Sequence, residues 1–161
     1  KGPLKKKIQK MSTCLPNAPI FGFYTKEQLH SIHNFTDIYI HPADTEIEGI
    51  SCMEAIACGV VPIVSKSPRS ATPQFTICEE SLFKAGDYKD LAKKLDWWIE
   101  HPEVRQEYKQ QYVEHSKNFL IERSIDKIEE MFKAAIEDWD PKYNGRAKKR
   151  HIEPTIIDIT D

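Results

Sequence analysis

Residues 46–54 read Glu46-Ile-Glu-Gly-Ile-Ser-Cys-Met-Glu54, and the chain runs on through Ala55-Ile-Ala-Cys-Gly-Val-Val-Pro-Ile-Val64. Gly49 precedes a run of helix-compatible, mostly apolar residues, and Gly59 stands where a helix over about 50–58 would need a left-handed stop. Val60–Ser65 is then a short, continuous apolar and β-branched run, the pattern of a strand buried on both faces. Just upstream, Asp37-Ile-Tyr-Ile-His41 has the same character and is closed by Pro42. Strand, loop, helix and strand in that order define a βαβ unit. Its strands must lie parallel, with helices covering the sheet.

Working outward, Pro3 opens a helix-like run over 3–13 with Leu4, Ile8 and Met11 on one face. Pro19–Phe23 reads as a short strand ending in a glycine turn. Thr25 and Gln28 form a capping-box pair before a helix over 26–34 that turns Leu29 and Ile32 inward. Beyond the central unit, 66–75 is an irregular polar loop and Ser81–Phe83 a short extended piece. Asp87 starts a helix that reaches Glu100, with Leu91, Leu95 and Trp98 or Ile99 on its apolar side. One ring of Trp97-Trp98 is expected inward and the other half out. His101-Pro102 breaks that helix, and further helices are expected over about 103–118 and 122–138. The expected architecture is a Rossmann-like α/β fold, a three-layer parallel sheet. Only three or four strands are visible where such domains have about six, so the remaining strands are expected before Lys1. Residues 1–138 read as one domain and 139–161 as a tail.

Composition narrows the function. The 161 residues carry 23 basic and 25 acidic side chains, a net charge of −2, without the positive excess of a nucleic-acid binder. Cys14, Cys52, Cys58 and Cys78 show no metal-binding spacing and no disulfide framework, so buried free thiols are expected at 52 and 58. No signal peptide and no apolar run of about 18 residues is present, which fits a cytoplasmic protein. Basic clusters at Lys5–Lys7 and Arg146–Arg150 leave open a peripheral contact with an anionic membrane. No Gly-x-Gly-x-x-Gly marks the usual dinucleotide loop.

In parallel α/β sheets ligands gather beyond the carboxyl ends of strands, at helix N-termini. Loop 43–49 occupies that position. Glu46, with nothing in the sequence to hold it, is free to turn into the cleft and accept hydrogen bonds from sugar hydroxyls. Glu54 sits in an otherwise apolar helix, where a carboxylate is expensive unless paired or ligand-bound. A helix-dipole role near the first turn is its competing explanation. Gly49 and Ile50 contribute backbone: close approach to a ligand, and N–H groups without intrahelical acceptors that suit phosphate. Glu48 is either a further ligand contact or a solvent-facing neighbour. His41, at the strand end, reads as a hydrogen-bonded structural residue or a catalytic one. Arg69, Ser70, Thr72 and Gln74 could meet phosphate or an acceptor.

These residues carry a resemblance. Glu46 to Glu54 followed by Ala55-Ile-Ala-Cys-Gly-Val-Val-Pro-Ile-Val64 is similar to the Glu-x7-Glu motif of the family-four retaining glycosyltransferases of the two-Rossmann-domain (GT-B) type. Phe21-Gly-Phe23, Glu27-Gln-Leu29 and Asp37–Pro42 match the spacing upstream of that motif. Ser67–Phe75, Glu80–Phe83 and Lys89–Trp98 resemble the bacterial cholesterol α-glucosyltransferases and the diacylglycerol glucosyltransferases. The loop at 67–72 lacks the glycine pair commoner in the family. The resemblance implies the C-terminal, donor-binding half of such an enzyme, at the inner face of a bacterial membrane. It implies Glu46 as the catalytic-site carboxylate on the transferred sugar and Glu54 on the ribose. Backbone near Gly49, Ile50 and Ser51 would hold sugar and diphosphate, and Phe21, Gly22 and Phe23 would flank the base. The implied co-substrate is a UDP-sugar, with no cofactor and no metal. The implied partner is an acceptor-binding domain of the same protein, without which the chain is not expected to catalyse. A non-catalytic sugar-nucleotide-binding module and a polysaccharide-building transferase remain alternatives.

Overall fold

Val61–Lys66 forms the central strand, and its residues are buried from Val61 through Ser65. A strand with no solvated face has no polar/apolar alternation, which is why it reads as an unbroken apolar run. The computed structural model describes residues 2–139. Its sheet has three parallel strands in the order β1 (Ile38–His41), β2 (Val61–Lys66) and β3 (Leu82–Lys84). Ile38 pairs with Val61 and His41 with Val64, while Val64 also faces Leu82. Both ladders are parallel, as the βαβ pattern requires.

Helix α1 covers Lys5–Met11, α2 Lys26–Asn34, α3 Ile50–Ala57, α4 Tyr88–Glu100, α5 Pro102–Ser116 and α6 Ile121–Glu137. The expected boundaries hold because the local signals are physical ones. The Thr25 hydroxyl accepts from the Gln28 amide while the Gln28 side chain accepts from the Thr25 N–H, the full capping box. Asp87 caps α4 by accepting from the amides of Lys89 and Asp90. Gly59, at φ 75°, ends α3 and turns the chain into β2.

Trp98 and Tyr112 are fully buried and join Cys52, Ile56, Val61, Ile63, Val64, Phe75 and Phe83 in one core. Their polar handles are satisfied: the Trp98 indole N–H donates to the Glu80 carbonyl at 3.1 Å, and the Tyr112 hydroxyl bonds Ser81 Oγ at 2.7 Å. Trp97 is half-buried and stacks on His101. Ile99, the alternative inward residue, is exposed. At the amino end of β1, Asp37 meets Lys109 at 3.2 Å and Arg105 at 3.7 Å, tying α5 beneath the sheet.

Three expectations fail. Pro19–Phe23 is not a strand, since among the described residues no strand lies beside it and a lone strand has no ladder to stabilise it. Strand β1 is not buried along its length: Ile40 is exposed at the open edge, and only His41 is buried. Ile32 is exposed and Leu29 half-buried, so α2 seats only loosely. Leu4, just ahead of α1, and Ile8 and Met11 within it share a face, and that face is exposed, as are Ile121, Ile128, Phe132 and Ile136 of α6. The basic group at 146–150 and the possible strand at 155–160 lie outside the described residues.

Candidate functional site

At the carboxyl end of the sheet two loops are stitched together. Loop 43–49 follows β1 and loop 67–72 follows β2. The Ser67 hydroxyl lies within hydrogen-bonding reach of both the Asp44 carbonyl (2.7 Å) and its Oδ1 (2.8 Å), and Ser67 Oγ in turn accepts from the Arg69 amide. The Arg69 guanidinium pairs with the other carboxylate oxygen of Asp44. The Ser67 hydroxyl first, and then the Arg69 charge, hold the Asp44 carboxyl below the usual range. The backbone continues the seam: Glu46 N–H donates to the Arg69 carbonyl and Ala71 N–H to the Glu46 carbonyl, a parallel bridge between Glu46 and Ser70. Arg69 therefore serves the loop rather than standing free, and Thr72 is buried beneath it.

This seam fixes Glu46, and the expectation that nothing holds it is corrected. Its Oε1 accepts from Gly49 N–H at 3.2 Å and from Glu48 N–H at 3.3 Å, and its Oε2 lies 3.4 Å from His41 Nε2. The loop curls back so that the carboxylate caps amides just ahead of its own helix. Gly49 N–H first, then Glu48 N–H, pull its pKa below the ordinary 4.5. The side chain keeps about a third of its surface exposed (32%), so it is held and still open to a ligand.

Gly49 is buried at φ 72°, and a Cβ there would come within 2.8 Å of both Phe75 and Thr72. Only glycine combines that backbone with that contact. From it α3 departs, and the amides of Ile50 and Ser51, in its first turn, have no acceptor among the described residues. The Ser51 hydroxyl bonds the Tyr39 hydroxyl at 2.9 Å, and Tyr39 bonds His41 Nδ1 at 2.8 Å. Tyr39, which sequence reasoning did not single out, lies two residues from His41. The two-residue period of a strand sends both side chains to the same side, and burial pushes the phenol's pKa up.

Glu54 is not inside the apolar stripe of α3. Cys52, Ala55 and Ile56 form that stripe, and Glu54 is exposed on the opposite flank without a hydrogen bond or ion pair among the described residues. It faces a cavity of about 380 Å³ between α2 and α3, lined also by Lys26, Leu29, His30, His33 and Cys58. Glu48 is exposed beside the loop. Phe21, Gly22 and Phe23 line a different cavity, of about 600 Å³, against Pro3, Leu4 and Ile8. The structure thus brings Glu46, Gly49, Ile50 and Ser51 together and sets Glu54 one turn along α3. It does not bring the 21–23 segment into the cavity that Glu54 lines. Among the described residues no three His, Cys, Asp or Glu side chains cluster in a way that could hold a metal, and no helix is long and apolar enough to cross a membrane.

A parallel sheet whose carboxyl-end loops present carboxylates and open helix amides offers groups that suit a polar or anionic ligand. Residues 1–119 match the family model of glycosyl transferases group 1, and the chain belongs to that family. Its fold is that of a GT-B glycosyltransferase domain. The structure is similar to the crystal structure of the catalytic domain of cholesterol-α-glucosyltransferase from Helicobacter pylori. The TM-score is 0.71 and the identity 39%, over 74% of this chain and 76% of that one. A sulfoquinovosyl transferase of Arabidopsis thaliana is 26% identical over 156 residues, 94% of this chain. The chain spans 29% of the length of that curated relative.

Proposed function

We propose that the chain forms the donor-binding part of a retaining glycosyltransferase that moves glucose from UDP-glucose to a lipid hydroxyl, on a sterol or diacylglycerol. One observation carries this reading. At the carboxyl end of β1, Glu46 precedes a helix start whose Ile50 and Ser51 amides have no acceptor among the described residues, and Glu54 follows one turn along that helix. Carboxylates suit hydroxyls, and open amides at a helix N-terminus suit a diphosphate. Membership of the glycosyl transferases group 1 family and the likeness to a sterol glucosyltransferase domain support the choice of donor and acceptor.

In this reading Glu46 accepts hydrogen bonds from hydroxyls of the transferred sugar while Glu54 takes the ribose hydroxyls. The amides of Gly49 and Glu48 hold the Glu46 pKa below its ordinary value and so favour the ionised form, which accepts hydrogen bonds. As the bond to the sugar breaks, negative charge grows on the leaving diphosphate. The Ile50 and Ser51 amides lie where that charge develops and stabilise it without reorganising. Basic side chains from elsewhere in the protein would complete the neutralisation, with no metal required. An acceptor-binding domain of the same protein would bring the lipid hydroxyl, and contact with the cytoplasmic membrane surface would supply it.

The test is transfer by the full-length protein from UDP-glucose to cholesterol or diacylglycerol in mixed micelles, with the product's anomeric proton read by NMR. An α-linked product is expected. A β-linked product, or no transfer from any UDP-hexose to either lipid, contradicts the proposal.

A further inference from the structure

We propose that His41 is a positioning residue for Glu46, held in one tautomer by a hydrogen-bond chain that runs through Tyr39 to Ser51. This rests on the reading of Glu46 as a sugar-binding carboxylate. The chain is continuous: Ser51 Oγ to Tyr39 hydroxyl, 2.9 Å; Tyr39 hydroxyl to His41 Nδ1, 2.8 Å; His41 Nε2 to Glu46 Oε2, 3.4 Å. It links the first turn of α3 to the carboxylate four positions ahead of that helix.

For the neutral ring the direction of every hydrogen follows. An ionised carboxylate offers only acceptors, so Nε2 of the neutral ring must carry the hydrogen for the Glu46 contact to be attractive. Nδ1 is then the acceptor, which makes Tyr39 its donor. With its own hydrogen committed, the Tyr39 oxygen accepts from Ser51. Tyr39 in this way selects the tautomer and holds the ring plane, as an outer partner does for a working histidine.

His41 is buried, 9% exposed, and its Nε2 makes no well-formed hydrogen bond among the described residues. A buried N–H left unpaired is unusual and costly. Glu46 Oε2 is the charged atom beside it, slightly too far for a good bond. Without ligand such contacts are often long and tighten in the complex. When a sugar hydroxyl engages Glu46, closing this last gap satisfies His41 and locks the carboxylate. The amides of Gly49 and Glu48 hold the other oxygen, so the carboxylate is gripped on both sides.

The experiment titrates the full-length protein with UDP and with UDP-glucose, in wild type, His41→Phe and His41→Gln. Positioning of a sugar-binding carboxylate predicts that His41→Phe weakens UDP-glucose by about tenfold and UDP alone by less than about twofold. His41→Gln, which can present an N–H near the Nε2 position, restores most of the loss. Equal losses for both ligands, or no rescue by glutamine in a variant that melts like wild type, would mean that His41 is only a packing residue. Nitrogen-15 NMR of the ligand-free protein at alkaline pH provides an arm that needs no ligand. The Nε2–H tautomer of His41, lost or mixed in Tyr39→Phe, is expected, and the Nδ1–H tautomer overturns the proposal. If wild type binds neither UDP nor UDP-glucose, the donor reading fails, and the tautomer alone then decides whether His41 orients Glu46.

Discussion

Gly49→Ala is the substitution whose cost the structure specifies most closely. Two penalties fall on the same Cβ. The backbone at φ 72° costs an L-residue about 1–2 kcal/mol. The added methyl would meet Phe75 Cε2 and Thr72 Cγ2, each at 2.8 Å, closer than van der Waals contact allows. Thr72 is fully buried and Phe75 nearly so, so neither can step aside without disturbing the core, and overpacking of this kind costs about 1–3 kcal/mol. Alanine's smaller unfolded-state entropy returns about 0.4–1 kcal/mol. The net expectation is a loss of about 2–4 kcal/mol, a fall in Tm of roughly 5–15 °C for a domain of this size. Gly86→Ala is the control. It has the same kind of backbone, φ 77°, with nothing among the described residues within 4 Å of the added Cβ, so only the conformational penalty applies, about 1 kcal/mol. Urea and thermal unfolding of the two variants side by side give the comparison. If both lose the same stability, the close approach of Gly49 to Phe75 and Thr72 is refuted, and with it the seam that sets the start of α3.

Three further outcomes are expected. Glu54→Gln weakens UDP binding by about 10- to 100-fold, the worth of charge-assisted hydrogen bonds. It leaves Tm unchanged, because Glu54 has no hydrogen-bond or ion-pair partner among the described residues; calorimetric titration and a melt read both. Trp98→Ala lowers unfolding stability by about 3–5 kcal/mol, since the ring is fully buried and its N–H bond to Glu80 is lost with it. Stability falls in acid through Glu46 and Asp44, whose folded-state pKa values lie below their ordinary 4.5 and 3.8. Between the folded-state and the ordinary value each binds fewer protons folded than unfolded, so its contribution is complete above the ordinary value and is lost as pH falls through the folded-state value. In Glu46→Gln the acid limb of the stability curve should be shallower.

The parts of the fold governed by local chemistry were legible in the sequence. The capping box at Thr25, the helix start at Asp87, the Gly59 stop and the unbroken apolar run of β2 each depend on residues close together in the chain, and each stands where expected. The misreadings share one cause, dependence on something distant. Pro19–Phe23 has strand composition, but a strand needs a neighbour to pair with. Glu54 looked buried because its neighbours in sequence are apolar. The face on which it falls is decided by which side of α3 meets the sheet, and that side carries Cys52, Ala55 and Ile56. Glu46 looked unheld because its partners are its own loop's amides and a histidine at the end of the previous strand. A glutamate three residues before a helix-opening glycine is the local signal that could have suggested the cap. Tyr39 went unnoticed because a tyrosine in a strand reads as packing. Only its pairing with His41 and Ser51 gives it a second role.

In the proposed function the start of α3, between Glu46 and Glu54, receives the diphosphate and ribose of a UDP-sugar. Backbone-amide NMR of the protein titrated with UDP, with GDP and ADP as comparators, tests it most directly. Saturable shifts at Ile50 and Ser51 are expected with UDP, abolished by Glu54→Ala and weak or absent with the purine nucleotides. Shifts confined to residues remote from α3, or identical shifts in Glu54→Ala, would contradict it.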